Sequence, residues 1–91
     1  MLTPDEVYTR VRKILAKVLC FDEEKIKPVS RLEKDLGAEA LELDFLYINR
    51  ALESEFDIEI QHREMFPIDA GTEFNVNFYV RFICEKIGIN P

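Results

Sequence analysis

The sequence predicts a small all-α domain, and three observations lead to this fold class. Apolar residues recur at three- and four-residue intervals in three separate stretches, which is the spacing that buries one face of a helix. Residues that favour helix starts and ends flank these stretches. The chain has 91 residues, enough for one domain with a compact core. We therefore expect residues 1–91 to form a single helical domain.

The first helix has the clearest signals. Thr3 is placed to be its N-cap, with Pro4 at the first helical position and Glu6 three residues after the cap. The pattern ends near Leu19–Cys20. The stripe predicted to be buried consists of Val7, Val11, Ile14, Leu15 and Val18.

Residues 21–37 are predicted to form a long loop between the first two helices. Pro28 disfavours helical geometry at the preceding residue. Loops of this length are uncommon unless they are functional or packed against the core. Four isolated apolar residues are expected to anchor this loop: Ile26, Val29, Leu32 and Leu36.

The second helix is predicted to begin at about Ala38, after a turn at Gly37. The alternating stretch "FDIEI" would suit a strand, but a lone five-residue strand has no partner here, so we expect a loop after the helix. The core face of the helix follows from apolar residues that step by four, three, four and four positions: Leu41, Phe45, Ile48, Leu52 and Phe56.

The rest of the chain is predicted to contain a short helical turn and a closing helix. The turn is "HREMF", before Pro67, and residues 67–74 form a connection. The closing helix is expected from Asn75 to Ile87, with Gly88 at its end. Three aromatic rings near this helix either pack in the core or line an apolar groove for a ligand: Phe74, Phe78 and Phe82.

The distribution of charge is more informative than the net charge of −6. Residues 35–60 contain eight acids and one base, Arg50, so this segment carries 1 − 8 = −7 and the other residues sum to +1. Such a segment disfavours binding to nucleic acid or anionic membranes and favours a basic protein surface as partner. A solvated helix face without a specific role is the alternative.

Other patterns argue against an enzyme or a metal site. Glu39, Glu42 and Asp44 lack the histidine or glycine-rich loop that would complete a cation site, so a docking surface explains them better. His62 is the only histidine, and the sequence suggests no partners for it in catalysis or metal binding.

The cysteines and tyrosines are expected to have structural roles. Cys20 and Cys84 should each be buried as small apolar residues in a reducing cytoplasm. Tyr47 and Tyr79 should pack their rings and expose their hydroxyls. No apolar run approaches the roughly 18 residues that cross a bilayer, and the acidic N-terminus is unlike a signal peptide, so we expect a cytoplasmic protein.

The stretch "DLGAEALEL" at residues 35–43, together with this layout, resembles the acyl carrier protein family. The family signature is Asp-Leu-Gly, any residue, an acid, Ser and Leu. This chain matches it at Asp35, Leu36, Gly37, Glu39 and Leu41. "ALESEFDIEI" is similar to the family's end of helix two, and "EMFP" resembles a segment of specialised carriers for unusual lipids. The resemblance covers nearly the whole chain and implies an acidic four-helix bundle with a long first loop and a short third helix.

The resemblance implies a carrier and not an enzyme. In the family, the signature serine holds 4′-phosphopantetheine through a phosphodiester, and the thiol of that group carries the acyl chain as a thioester. The matched residues Asp35, Leu36, Gly37, Glu39 and Leu41 then form the context that a phosphopantetheinyl transferase recognises. We expect a monomer whose apolar interior can shelter an acyl chain. Basic surfaces of fatty-acid or lipid-synthesis enzymes would dock on helix two, at Glu39, Leu41, Glu42, Asp44 and Glu53.

Ala40 stands where the family has its serine, so the chain should be unable to accept the group. Alanine has no nucleophilic oxygen, and the serines at 30 and 54 do not fit the motif. Two explanations stay open. One is an engineered serine-to-alanine change in a carrier. The other is a natural carrier-like module that binds or regulates a partner protein through its acidic helix.

The distance from Ala40 to Phe56 is a second departure from the family pattern. It is 16 residues, two more than is usual between the serine and that phenylalanine. Alignment from the C-terminal side would place Glu42 at the serine's position instead. Two additional residues turn a straight helix by about 200°, so the second helix must be longer, begin elsewhere or contain a bulge.

Overall fold

The computed structural model of the chain describes residues 2–32, 35–37, 44–60 and 75–89, except for the side chains at positions 44 and 45. These residues contain no strand, only an isolated antiparallel bridge between Arg31 and Asn75. The all-α fold class is confirmed for this part of the chain. The helices are α1 (Pro4–Leu19), a short 3₁₀ helix (Glu23–Lys25), α2 (Asp44–Phe56) and α3 (Val76–Ile87).

Two predicted features lie outside the described residues. One is the start of the second helix at Ala38, since α2 is described only from Asp44. The other is the short helical turn at "HREMF". Helix α3 is therefore the closing helix of the sequence prediction. None of the described helices is long and apolar enough to span a membrane.

Helix α1 begins and ends where its sequence signals predict. The Thr3 hydroxyl accepts the Glu6 N–H at 3.2 Å, and the Glu6 carboxylate accepts the Thr3 N–H at 3.3 Å, which completes the predicted capping box. Cys20 caps the other end in the left-handed region, with φ of 53°, and its N–H donates to the Ala16 carbonyl. Because this capping position lies beyond the buried stripe, Cys20 is exposed; the expectation of burial is wrong for Cys20 and confirmed for Cys84.

Helix α1 is the centre of the described core, because it packs against both α2 and α3. Its fully buried residues belong to the predicted stripe, and Ile14 and Val18 are partly buried beside them. Fully burying one aliphatic side chain of this size contributes roughly 1.5–3 kcal/mol. The core residues of the three helices are Val7, Val11 and Leu15; Ile48, Leu52 and Phe56; and Val76, Tyr79, Val80, Ile83 and Cys84.

The long loop is anchored by three of its four predicted residues. Ile26 and Leu32 are fully buried, and Leu36 is 4% exposed. Val29 is 71% exposed, so its prediction as an anchor is wrong. It lies with Pro28 at the centre of a turn closed by a hydrogen bond from the Ser30 N–H to the Lys27 carbonyl at 3.0 Å, and such a turn directs its central residues towards solvent.

Backbone hydrogen bonds attach this loop to the start of α3. The Ser30 carbonyl accepts the Val76 N–H at 3.0 Å, and the Pro28 carbonyl accepts the Asn77 N–H at 2.9 Å. The Asn75 side chain accepts the Phe78 N–H at 3.1 Å. The first N–H groups of a helix have no partner within the helix, so the loop and the cap together satisfy three of them.

The stretch after α2 is a loop, as predicted, and one side chain of the helix fastens it. Asp57 ends the helix with φ of 53°. The Ile58 N–H then donates to the Glu53 carbonyl at 3.2 Å, and the Ile60 N–H donates to the Glu53 carboxylate at 3.0 Å. Since Ile60 is buried, the Glu53 side chain holds an extended segment against the core.

The aromatic residues depart from the predictions in part. Tyr79 is fully buried with its hydroxyl, so the expectation of an exposed hydroxyl is wrong, and burial raises the pKa of this phenol. Tyr47 is 55% exposed because it lies on the opposite side of α2 from the core face. Phe82 packs partly against the core, whereas Phe78 is 40% exposed; Phe74 lies outside the described residues.

Candidate attachment and docking site

The described part of the signature, residues 35–37, belongs to a turn beside the core. Leu36 packs into the core with 4% of its surface exposed. Gly37 has φ of 77°, in the left-handed region, and no atom of the described residues lies within 4 Å of the position that a Cβ atom would take. The glycine is therefore required for backbone conformation and not for a close approach. Leucine and glycine of the signature thus have structural roles in this turn.

Asp35 is held by Arg31, four residues earlier. Its Oδ2 atom accepts the Arg31 backbone N–H at 2.8 Å and the Nε–H at 3.0 Å, and its Oδ1 atom accepts the Nη2–H at 3.2 Å. In the other direction, the Arg31 carbonyl accepts the N–H groups of Asp35 at 2.9 Å and Leu36 at 3.1 Å. We refer to these contacts as the Arg31–Asp35 clasp.

The other predicted site residues are only partly described. Four of them lie outside the described residues: Glu39, Ala40, Leu41 and Glu42. Asp44 is the first described residue of α2, without its side chain. Glu53 lies nine positions further along the helix, where its carboxylate binds the Ile60 N–H. The structure therefore brings Asp35, Leu36 and Gly37 together in one turn and gives Glu53 a role within the fold.

The acidic segment divides into acids with internal partners and acids without them. Asp35 and Glu53 accept backbone N–H groups, and Glu55 forms a 3.4 Å ion pair with Arg10 of α1. Asp57 and Glu59 are exposed and have no ion-pair partner in the described part of the chain. The segment's charge of −7 therefore overstates the number of carboxylates that are available to a partner.

Sequence reasoning missed Arg31, the residue that organises the signature turn. Opposite charges four residues apart were visible in the sequence, but that spacing is a signal for helical pairs, and here the chain turns. The Glu53–Ile60 contact spans seven residues and has no simple sequence signal.

The hydroxyl groups of this chain do not fit covalent attachment of phosphopantetheine at the signature. Position 40 has no oxygen. The Ser30 side chain is 8% exposed, and its hydroxyl accepts the Lys27 N–H at 2.9 Å, so it belongs to the loop. Ser54 is exposed, but it lies near the C-terminal end of α2, two residues before Phe56. Both serines therefore lie outside the signature.

Three further features of the described residues bear on ligands. The described part of the chain contains no cluster of three or more residues that could bind a metal ion. A surface cavity of about 520 Å³ lies between the start of α1, Pro28 and α3, and the signature turn does not line it. The side-chain oxygen of Asn49, a residue only 6% exposed, has no hydrogen-bond partner among the described residues.

Comparison with known proteins gives relatives along almost the full chain. A protein named acyl carrier protein from Phenylobacterium zucineum is 39% identical over 84 residues, covering 91% of this chain and 96% of the relative. Acyl carrier proteins from Cyanidium caldarium and Petrotoga mobilis are 34% and 30% identical, covering 96% and 98% of this chain and 93% and 96% of their own lengths.

No family model matches the chain. The similarity to the three relatives extends over nearly the whole length of this chain and of each relative. It agrees with the helices that the structure describes. The chain belongs to the acyl carrier protein family, whose members carry acyl groups on 4′-phosphopantetheine and are not enzymes.

Proposed function

We propose that this chain is an acyl carrier protein of fatty-acid or specialised lipid synthesis, in a form that cannot be modified at position 40. The observation that carries the proposal is a signature complete from Asp35 to Leu41 except for the accepting hydroxyl. The described signature residues support it, because Leu36 is packed and Gly37 has the backbone conformation that suits glycine. The segment "EMFP" favours a specialised lipid pathway.

The proposed partners are a phosphopantetheinyl transferase and the basic docking surfaces of lipid-synthesis enzymes. Charge at the start of helix two would steer such partners to residues Glu39, Leu41, Glu42 and Asp44. Glu53 adds negative charge to this surface while its carboxylate holds Ile60. We propose that these encounters take place in the cytoplasm and that the carrier is a monomer.

Restoring the hydroxyl tests the proposal. The Ala40→Ser variant should gain the mass of one phosphopantetheine group when it is incubated with a phosphopantetheinyl transferase, Mg²⁺ and coenzyme A. The unchanged chain should gain nothing under the same conditions. The measurement is the intact mass by mass spectrometry. An Ala40→Ser variant that stays unmodified by several transferases of broad specificity would contradict the proposal.

A matched variant decides between the two alignments of the signature. Alignment from the upstream residues places the serine at position 40, and alignment from Phe56 places it at Glu42. We expect modification of Ala40→Ser and none of Glu42→Ser, since a transferase recognises the residues around its serine. Modification of Glu42→Ser alone would move the attachment position to residue 42.

A second candidate is a non-carrier module that binds or regulates a partner protein through its acidic helix. Ala40 itself favours this candidate, because a natural alanine removes the arm and leaves the docking surface in place. The module would bind a basic partner without modification, with an association rate that falls as salt rises. An unmodifiable Ala40→Ser variant together with such binding would favour the module over the carrier.

A further inference from the structure

We propose that Arg31 is a positioning residue for the attachment signature and that it acts through Asp35. The inference rests on the proposed carrier function and adds a residue outside the signature to it. Under this proposal, Asp35 contributes to recognition by fixing the shape of the turn rather than by contacting the transferase.

The first step of the argument is the geometry of the clasp. One carboxylate binds both the guanidinium and the backbone N–H of the same residue, at 2.8–3.2 Å. Two-point pairing of a guanidinium with a carboxylate constrains orientation as well as distance. The return hydrogen bonds from Asp35 and Leu36 to the Arg31 carbonyl close the turn from the other side. The ends of this turn therefore cannot move independently while the clasp is formed.

The second step is the attachment of the turn to the rest of the fold. The backbone of Arg31 forms the bridge with Asn75, directly before α3. The residues on the core side of the turn, Leu32 and Leu36, are buried. The turn is thus fixed to α3 and the core, and the clasp holds Asp35 two positions before Gly37. Residue 40 follows Gly37 by three positions in the sequence.

The third step concerns the charge of Asp35. Its side chain is 39% exposed, and that of Arg31 is 35% exposed, so solvent screens the pair and its Coulomb energy alone is modest. The guanidinium nevertheless occupies both carboxylate oxygens, one of which also accepts a backbone N–H. A partner that used Asp35 directly would have to displace these contacts. The geometry therefore favours a conformational role for this acid.

A double-mutant cycle in the Ala40→Ser chain tests the proposal. The four proteins carry Arg31→Ala, Asp35→Ala, both changes or neither, and the readout is kcat/KM for transfer of phosphopantetheine, measured well below every unfolding midpoint. If both residues act through one clasp, each single change should lower kcat/KM by about tenfold or more, and the double variant should be no worse than Asp35→Ala, which also removes the contact with the Arg31 backbone N–H. Arg31→Lys should resemble Arg31→Ala, because lysine lacks the planar fork.

Three results would overturn the positioning role. In the first, Arg31→Ala leaves kcat/KM unchanged while Asp35→Ala lowers it, which means that Asp35 acts without the Arg31 guanidinium. In the second, the two single losses multiply in the double variant, which means that the residues act independently. Unchanged kcat/KM in all variants also contradicts the proposal.

Two matched variants control for other effects. Arg10→Ala removes a guanidinium that also belongs to a surface ion pair, at 3.4 Å from Glu55, but lies on α1. It should leave kcat/KM within about twofold, since an exposed pair of this kind couples weakly. Ile83→Val loosens the core of α3 and should lower the unfolding midpoint without changing kcat/KM. A loss of kcat/KM in Ile83→Val would assign the Arg31 effect to general destabilisation.

The same cycle in the unchanged chain separates this inference from the proposed function. There the readout is the urea midpoint, and the Arg31→Ala and Asp35→Ala shifts should be non-additive if the clasp forms. Suppose that the two midpoint shifts are non-additive but the Ala40→Ser chain cannot be modified. This result contradicts the carrier function and, with it, the positioning role. If instead the two midpoint shifts are additive and the Ala40→Ser chain is readily modified, the clasp is contradicted and the carrier function is not.

Discussion

The two ends of the acidic segment use their carboxylates in opposite ways. At the first end, Asp35 binds Arg31 and a backbone N–H group in a closed turn. At the other end, Asp57 and Glu59 point into solvent without an ion-pair partner among the described residues. The same amino acids therefore fix the backbone in one place and leave charge available for a partner in the other. Net charge alone does not distinguish these uses.

The largest expected effect concerns two apolar residues of the loop that enters this segment. Leu36→Ala should lower the free energy of unfolding by about 2–5 kcal/mol, because it removes a side chain that is packed in the core. Val29→Ala, in the same loop, should change it by less than about 0.5 kcal/mol, since Val29 is 71% exposed. Urea denaturation gives both values. Equal losses would show that the two residues anchor the loop alike.

The next effect compares two glutamates. Glu53→Ala should cost about 1.5–3 kcal/mol of unfolding free energy, because the buried end of the segment at Ile60 loses a charged hydrogen-bond acceptor. Glu53→Gln should cost much less, since the amide oxygen can still accept the Ile60 N–H. Glu59→Ala should change stability by less than about 0.5 kcal/mol. If Glu53→Ala were as stable as Glu59→Ala, the hydrogen bond from the Ile60 N–H to the Glu53 carboxylate would not stabilise the fold.

A smaller effect of opposite sign is expected at Asn49, on α2. Asn49→Leu should raise the free energy of unfolding by about 1 kcal/mol, because it replaces a buried amide whose oxygen lacks a partner among the described residues. Asn49→Asp should lower it, since burial of an unpaired charge is unfavourable. Thermal and urea denaturation check both. A destabilised Asn49→Leu would mean that the amide has a partner of its own.

The smallest effect on stability, but a measurable one on kinetics, is expected at the free acids. The double variant Asp57→Asn, Glu59→Gln should unfold like the parent chain and associate more slowly with a basic partner enzyme, with a weaker dependence on salt. Stopped-flow association at several salt concentrations gives the comparison. An unchanged rate and salt dependence would exclude these two acids from steering.

Elements whose signals lie close together in the chain could be predicted from the sequence. The capping box of α1 and the end of α3 at Gly88 depend on residues within one turn of each other, so their sequence signals were sufficient. The core faces of the helices followed from helical spacing. Val29 looked like Leu36 in the sequence, but the turn at Pro28 separates their environments.

The residues of the candidate site stay a prediction from the motif, but the structure shows contacts of two of them, Asp35 and Glu53, that the motif did not predict. The signature residues at 35 to 37 were found from the motif, and the structure assigns them to a turn. The contact between Asp35 and Arg31 forms because the chain turns between these two residues. The contact between Glu53 and Ile60 depends on the path of the chain after α2. Contacts of this kind arise from tertiary geometry, which local patterns do not encode.

The proposed carrier lacks only its accepting oxygen at position 40. The most direct measurement is the intact mass of the Ala40→Ser chain after incubation with a phosphopantetheinyl transferase and coenzyme A, beside the unchanged chain and Glu42→Ser. The carrier account predicts one added phosphopantetheine group on Ala40→Ser and none on the other two. An Ala40→Ser chain that remains unmodified while it stays folded would contradict the account.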